Sequence, residues 1–209
     1  MKGKFITFEG SEGSGKSTQS GLLCDYLRDR KIPFVHTREP GGTMVGEKVR
    51  KILLNPANHS IVDRCELFLY LSSRAQLISE IIKPALSERK IVISDRFSDA
   101  TLAYQGYGGG LDISLIKRLN SFVTENIQPD LTLFLDIGVR KGLARSQRGK
   151  PADRIEERGI SYHQRVKRGY LELVRSFPER IKVIKINKDI NKTQREIRKI
   201  VEEKCLLVR

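Results

Sequence analysis

Gly10-Ser11-Glu12-Gly13-Ser14-Gly15-Lys16-Ser17 sits between the short apolar run Lys4-Phe5-Ile6-Thr7-Phe8 and a segment, Thr18 to Arg30, with apolar side chains at Leu22, Leu23, Tyr26 and Leu27. The octet fits G-x-x-x-x-G-K-[ST] in full, and the strand before it and helix after it are the setting that motif requires. Its glycines let backbone N–H groups turn inward around phosphate oxygens, and the helix N-terminus adds positive potential. Lys16 would reach the β- and γ-phosphates of a nucleoside triphosphate, and the Ser17 hydroxyl would ligate Mg²⁺.

Outward from this loop, apolar strand patterns alternate with helical ones. Pro33 to Thr37, Ile91 to Ser94, Leu131 to Leu135 and Lys182 to Ile186 read as strands. Helical patterns occupy Gly46 to Leu54, Asp63 to Glu88 (kinked or divided at Pro84), Ser114 to Asn126, Glu156 to Phe177 and Lys192 to Lys204, with another beginning at Lys141 to Arg145. Continuous apolar strands between helices indicate an α/β fold in three layers, a five-stranded parallel sheet with helices on both faces. The 209 residues suit one domain, with no linker, repeat or low-complexity stretch.

Composition excludes several classes. No run approaches the ~18 apolar residues of a membrane span. The N-terminus is too soon acidic for a signal peptide, which makes a cytoplasmic protein the simplest expectation. Cys24, Cys65 and Cys205 are odd in number and widely spaced, arguing against disulfides and zinc; Cys24 and Cys65 lie in apolar stretches and read as core residues. The net charge of +14 raises nucleic-acid binding, but the basic residues are spread along the chain, as anionic small substrates and a solvated surface would also require. Asn187-Lys188-Asp189 begins like a guanine-binding signature, but its aspartate comes one place early.

Four further groups carry chemistry. Asp95-Arg96 follows a buried strand, at the carboxyl edge where open α/β sheets bind ligands. Asp95 could hold Mg²⁺ through water or take a proton; Arg96 could fork onto a phosphate. The plainer reading is a surface ion pair. Thr37-Arg38-Glu39-Pro40-Gly41-Gly42-Thr43 brings a second arginine, Arg38, to the same edge. Tyr70 and Arg74, four apart on one helix, could stack on a base and read its carbonyl, though spacing alone favours a half-buried tyrosine beside a solvated arginine. Thr101 and Gln105 are also four apart and could read a base, before glycines 106 and 108–110 break the helix.

Taken together, the loop at 10–17, T-R-E-P-G-G-T at 37–43, Tyr70 with Arg74, D-R-F at 95–97, T-L-A-Y-Q-G at 101–106 and D-R-I-E at 153–156 resemble the bacterial thymidylate kinase family over nearly the whole chain. The resemblance implies a P-loop kinase fold and transfer of the γ-phosphate of ATP to thymidine monophosphate (dTMP), giving dTDP for DNA synthesis. It implies a homodimer, to which the apolar helix Glu66 to Ile82 could contribute the face; the spread of charge and the lack of a long apolar run lead us to expect no nucleic-acid or membrane partner. ATP would contact Gly10 to Ser17, Thr18 and Arg145. Glu12 would lie near the acceptor sugar, Arg38 and Arg96 would clamp its phosphate, Tyr70 would stack on thymine where the family usually has phenylalanine, Arg74 would bond the O4 edge, Thr101 and Gln105 would face the base, and Tyr104 would crowd the 2′ position. Ser17 and Asp95 would serve Mg²⁺. The catalytic set would be Lys16, Asp95, Arg96 and Arg148. Because Gly13 stands where one branch of the family carries a P-loop arginine, the catalytic cation is expected in a lid at about 145–156, with Arg145, Arg148, Lys150 and Arg154 as candidates and Arg148 first. Another nucleotide kinase on this fold and a nucleic-acid-dependent ATPase are the alternatives.

Overall fold

A computed structural model describes residues 3–149 and 151–206. Five parallel strands, β1 (Lys4–Glu9), β2 (Phe34–Arg38), β3 (Ile91–Asp95), β4 (Leu131–Asp136) and β5 (Ile181–Lys185), lie in the order β2-β3-β1-β4-β5. The expected three-layer α/β architecture is the observed one. The register aligns the carboxyl ends: Phe8 and Arg38 both pair with Asp95, on opposite sides of β3. The loop after β1, the arginine closing β2 and the aspartate closing β3 are therefore neighbours.

Alternate strand residues feed different layers. Ile6, Phe8, Ile91, Ile93, Leu133 and Leu135 pack against α1 (Lys16–Asp29) and α9 (Ile190–Val201) through Leu23, Leu27, Ile197 and Val201. The opposite face takes Phe5 and Val92 against Phe97, Leu77 and Ile82. It also takes Phe134 and Ile181 against α3 (Asp63–Leu77) and α8 (Ile160–Ser176), through Leu67, Leu71, Val166 and Tyr170. Both sheet faces are covered, which is why the strands lack polar alternation.

Three expectations shift. The pattern from Asp63 to Glu88 is not one helix: α3 ends at Leu77, a π-helical turn spans Ile78–Ile82, and α4 is Lys83–Ser87. Pro84 opens this last piece, where its missing N–H is tolerated, and the wide turn precedes it. The helix expected from Glu156 begins at Ile160, leaving 156–159 as a turn. Cys65 is exposed whereas Cys24 and Cys205 are buried, because Cys65 falls on the outer face of α3. The remaining helices are α2 (Met44–Leu54), α5 (Ser98–Thr101), which runs into a π-helical segment Leu102–Gly108, α6 (Ile113–Val123) and α7 (Val139–Ser146).

Candidate active site

The loop between β1 and α1 bends through positive φ at Gly10 (144°), Gly13 (64°) and Gly15 (89°). At Gly13 the requirement is spatial as well: a Cβ would lie 2.0 Å from the Gly142 carbonyl oxygen of α7. Position 13 thus has no room for an arginine, which fits a site whose catalytic cation comes from elsewhere. Lys16 folds back over the loop, its Nζ donating to the carbonyls of Gly10 and Ser11 at 3.0 Å and to Ser14 Oγ at 3.3 Å. Burial, helped by Arg96, brings its pKa down to about 8. Ser17 and Thr18 at the start of α1 are exposed to the same cleft.

Arg96 is the centre of the site. It holds φ 72°, left-handed for a non-glycine residue. Its guanidinium donates to the Gly10 carbonyl at 2.9 Å, Glu12 Oε1 at 2.8 Å, Tyr104 OH at 2.9 Å and Tyr170 OH at 3.2 Å. The plainer reading, a surface ion pair with Asp95, is therefore excluded: its salt-bridge partner is Glu12. Tyr104 also donates to Glu12 Oε1, at 2.7 Å. Burial pushes the Glu12 carboxyl up, but Arg96, Lys16 and the Tyr104 hydroxyl outweigh it and hold it at about 2.

Asp95 has its Oδ1 buried and without a hydrogen bond among the described residues. His36 Nε2 approaches it at 3.9 Å, a distance for charge attraction rather than a hydrogen bond. Asp95, and then Cys24, lift the His36 pKa to about 10. Burial pushes the Asp95 carboxyl up, and His36, Ser17 and Ser20 more than reverse it. Arg38 forks onto Glu47, at 3.0 and 3.1 Å, and remains half exposed in the cleft.

Next to this cleft is a cavity that opens to solvent on one side. Tyr70, Arg74, Thr101, Tyr104 and Gln105 all line it, with Glu12 and Arg96 at its junction with the P-loop cleft. The solvated-arginine reading of Arg74 is overturned: it is 1% exposed. Its Nε donates to both Glu39 oxygens at 3.1 and 2.8 Å, NH1 to Asn120 Oδ1 at 2.6 Å and NH2 to Thr101 Oγ1 at 2.9 Å. A buried guanidinium with this many fixed partners has one orientation. Tyr70 is partly buried; burial, then Glu66, raises its phenol pKa, so it stays neutral.

Arg145 and Arg148 are exposed, around the end of α7. Lys150 lies outside the described residues. Arg154 is spent elsewhere: its Nε donates to the Leu53 carbonyl at 2.7 Å and NH2 to Glu66 Oε2 at 2.5 Å.

The sequence reading assigns no role to Arg50 or Glu66, and Glu39 and Asp153 enter it only within the motifs at 37–43 and 153–156, with no role of their own. Arg50 lines both cavities and donates to the Pro40 carbonyl at 2.9 Å. Its signal was available, since α2 starts directly after the T-R-E-P-G-G-T loop. Glu39 lay within that loop, read only for its arginine and glycines. No local pattern marks Glu66, whose partners are distant in sequence.

A phosphate loop that opens onto an arginine-lined pocket, on a β2-β3-β1-β4-β5 parallel sheet, defines a P-loop kinase acting on a small acceptor. The thymidylate kinase family model matches residues 8–197. Thymidylate kinase of Symbiobacterium thermophilum is 45% identical over 95% of this chain and 92% of its own, and that of Pelotomaculum thermopropionicum 46% over 97% and 94%. The crystal structure of thymidylate kinase from Ehrlichia chaffeensis superposes with a TM-score of 0.80 at 36% identity, covering 96% of this chain and all of that one. This chain belongs to the thymidylate kinase family.

Proposed function

We propose that the chain transfers the γ-phosphate of ATP to dTMP, giving dTDP and ADP for dTTP synthesis. The observation that carries this reading is the junction of the two cavities at Glu12 and Arg96: a donor loop and an acceptor pocket share a wall. Transfer then needs positioning and charge more than covalent chemistry. ATP lies on Gly10 to Thr18 with Arg145 alongside, and Lys16 exchanges its contacts with the loop for phosphate oxygens. Arg96, aided by Arg38 and Arg50, neutralises the acceptor phosphate, already a good nucleophile. Thymine occupies the pocket between Tyr70, Arg74, Thr101 and Gln105; Tyr104, pinned to Glu12, disfavours a 2′-hydroxyl. Arg148 swings in from the exposed turn after α7 to offset charge developing on the transferring group.

Ser17 and Asp95 would hold Mg²⁺, and the orphaned Asp95 Oδ1 suits a hard cation. Among the described residues no cluster of three or more His, Cys, Asp or Glu could hold a metal by itself. That agrees with an ion held largely by phosphates and water, which supplies neutralising charge when bound.

The protein acts as a cytoplasmic homodimer, without nucleic-acid or membrane partners. No helix among the described residues is long and apolar enough to cross a membrane. Leu67, Leu71, Leu77, Ile78 and Ile82 are buried in the chain's own core, leaving Phe68 of α3 with Val45 and Ile52 of α2 as the exposed apolar face for a second copy. Assay of ATP-Mg²⁺ with each deoxy- and ribonucleoside monophosphate should show dTMP as the preferred acceptor; strong preference for another base would sink the reading. ATP hydrolysis stimulated by DNA or RNA would instead favour the nucleic-acid-dependent ATPase.

A further inference from the structure

Gln105 and Glu66 are both almost fully buried, at 2% and 1% exposure, on separate helical segments. Gln105 Nε2 donates to Glu66 Oε1 at 2.8 Å. The other carboxylate oxygen, Oε2, accepts from Arg154 NH2 at 2.5 Å and Arg158 NH2 at 2.8 Å. Arg154 is tied in turn to the Leu53 carbonyl, and Arg158 to Asp63 Oδ1 at 3.2 Å and to the face of Tyr162 at 4.5 Å. Glu66 is held from one side by two fixed guanidiniums and presents its remaining oxygen to Gln105.

A carboxylate has no proton to give, so only the nitrogen end of a carboxamide can face it. We infer that Glu66 is a specificity-determining positioning residue: by claiming the Gln105 nitrogen it turns the Gln105 carbonyl oxygen to the acceptor pocket, so the pocket takes a pyrimidine carrying a ring N–H and rejects one carrying a ring-nitrogen lone pair there. Among the described residues, that oxygen accepts no other side-chain or backbone hydrogen bond. An unconstrained glutamine could rotate its amide by half a turn and offer N–H instead, accepting either base. Arg74, fixed by Glu39, offers only donors. The two side chains together present acceptor and donor in the order that an imide edge requires and that an amidine edge, with lone pair and amino group, opposes.

This inference rests on the proposed acceptor site, and its test separates the two. Steady-state kinetics would compare dTMP with 5-methyl-dCMP, which keeps the methyl group and reverses the hydrogen-bonding edge. In Glu66→Gln the new amide oxygen must accept from Arg154 and Arg158, which only donate, so its nitrogen faces Gln105 and draws the Gln105 carbonyl oxygen away from the pocket. We expect the ratio of kcat/KM for dTMP over 5-methyl-dCMP to fall about tenfold or more, the scale of one mismatched buried polar contact. The dTMP effect should fall mainly on KM. Arg158→Met removes a partner of Glu66 but keeps the Gln105 contact, and should retain the ratio. If Glu66→Gln retains the wild-type ratio, or Arg158→Met loses it equally, the inference is overturned. If Glu66→Gln does not fold, Glu66→Gln/Arg158→Met removes the surplus cation, and Gln105→Met must show the same loss of ratio; retention there overturns the inference too. Wild-type protein that does not prefer dTMP at all would refute the acceptor assignment instead.

Discussion

Replacing Gly13 with alanine tests how the P-loop is built. The added Cβ would lie 2.0 Å from the Gly142 carbonyl oxygen, where ordinary contact begins at 3.4 Å, so loop and α7 must part by about 1.4 Å. The obstacle is backbone, which cannot swing aside as a side chain can. Overpacking of this kind costs ~1–3 kcal/mol, and the left-handed φ of 64° adds ~1–2 kcal/mol for a residue with a Cβ. At ~2–4 °C per kcal/mol for a chain of this size, thermal denaturation should show a Tm roughly 4–20 °C lower. Gly142→Ala attacks the same contact from the other side, its Cβ meeting the Glu12 carbonyl oxygen at 2.3 Å. One separation relieves both clashes, so the double variant should lose less stability than the two singles added. Because α7 ends at Ser146, which lines the P-loop cleft, both variants should also lower kcat/KM. A Gly13→Ala protein with wild-type Tm and activity, or strict additivity in the double variant, would refute this account.

Lys16→Ala should reduce kcat by about 10²–10³-fold, the scale of losing one charge-stabilising donor, while circular dichroism shows an intact fold; retained turnover would contradict the role given to Lys16. Glu9 is buried at the end of β1, accepting from the Phe97 N–H and Tyr170 OH at 2.7 Å, and burial followed by Asp99 raises its pKa to about 7 from an ordinary 4.5. The folded form therefore binds the proton more tightly, so this group's contribution is full below pH 4.5 and is lost as pH rises through 7, a change of about 3 kcal/mol. Urea denaturation from pH 5 to 8 should show that decline in wild type and a flatter profile in Glu9→Gln; identical profiles would contradict it. Arg148→Ala should lower kcat with little change in dTMP KM, and an equal loss in Arg145→Ala alone would move the catalytic cation to that residue.

The three-layer sheet and the phosphate loop were legible because each is specified by neighbours in sequence: unbroken apolar strands between helices, and eight contiguous residues whose glycines and helix start build the grip. The convergence of Arg38 and Asp95 was legible for a related reason, since both end parallel strands and ligand sites form at that edge. Arg74 was misread from spacing as solvated because helical periodicity says which residues share a face, not what lies opposite. Cys65 was misplaced in the core for the same reason.

The chain order alone thus determined the glycine-rich loop at residues 10–17, with its strand before and helix after, and that position 13 carries no arginine. The tertiary structure decided which charges remain available for chemistry. It commits Arg74 to Glu39 and Arg154 to Glu66, brings Arg50 to both cavities and joins Gln105 to Glu66. Those partners lie 35, 88 and 39 residues apart for Arg74–Glu39, Arg154–Glu66 and Gln105–Glu66. A buried charge or amide takes its orientation from whatever the fold sets against it, and no local pattern encodes that.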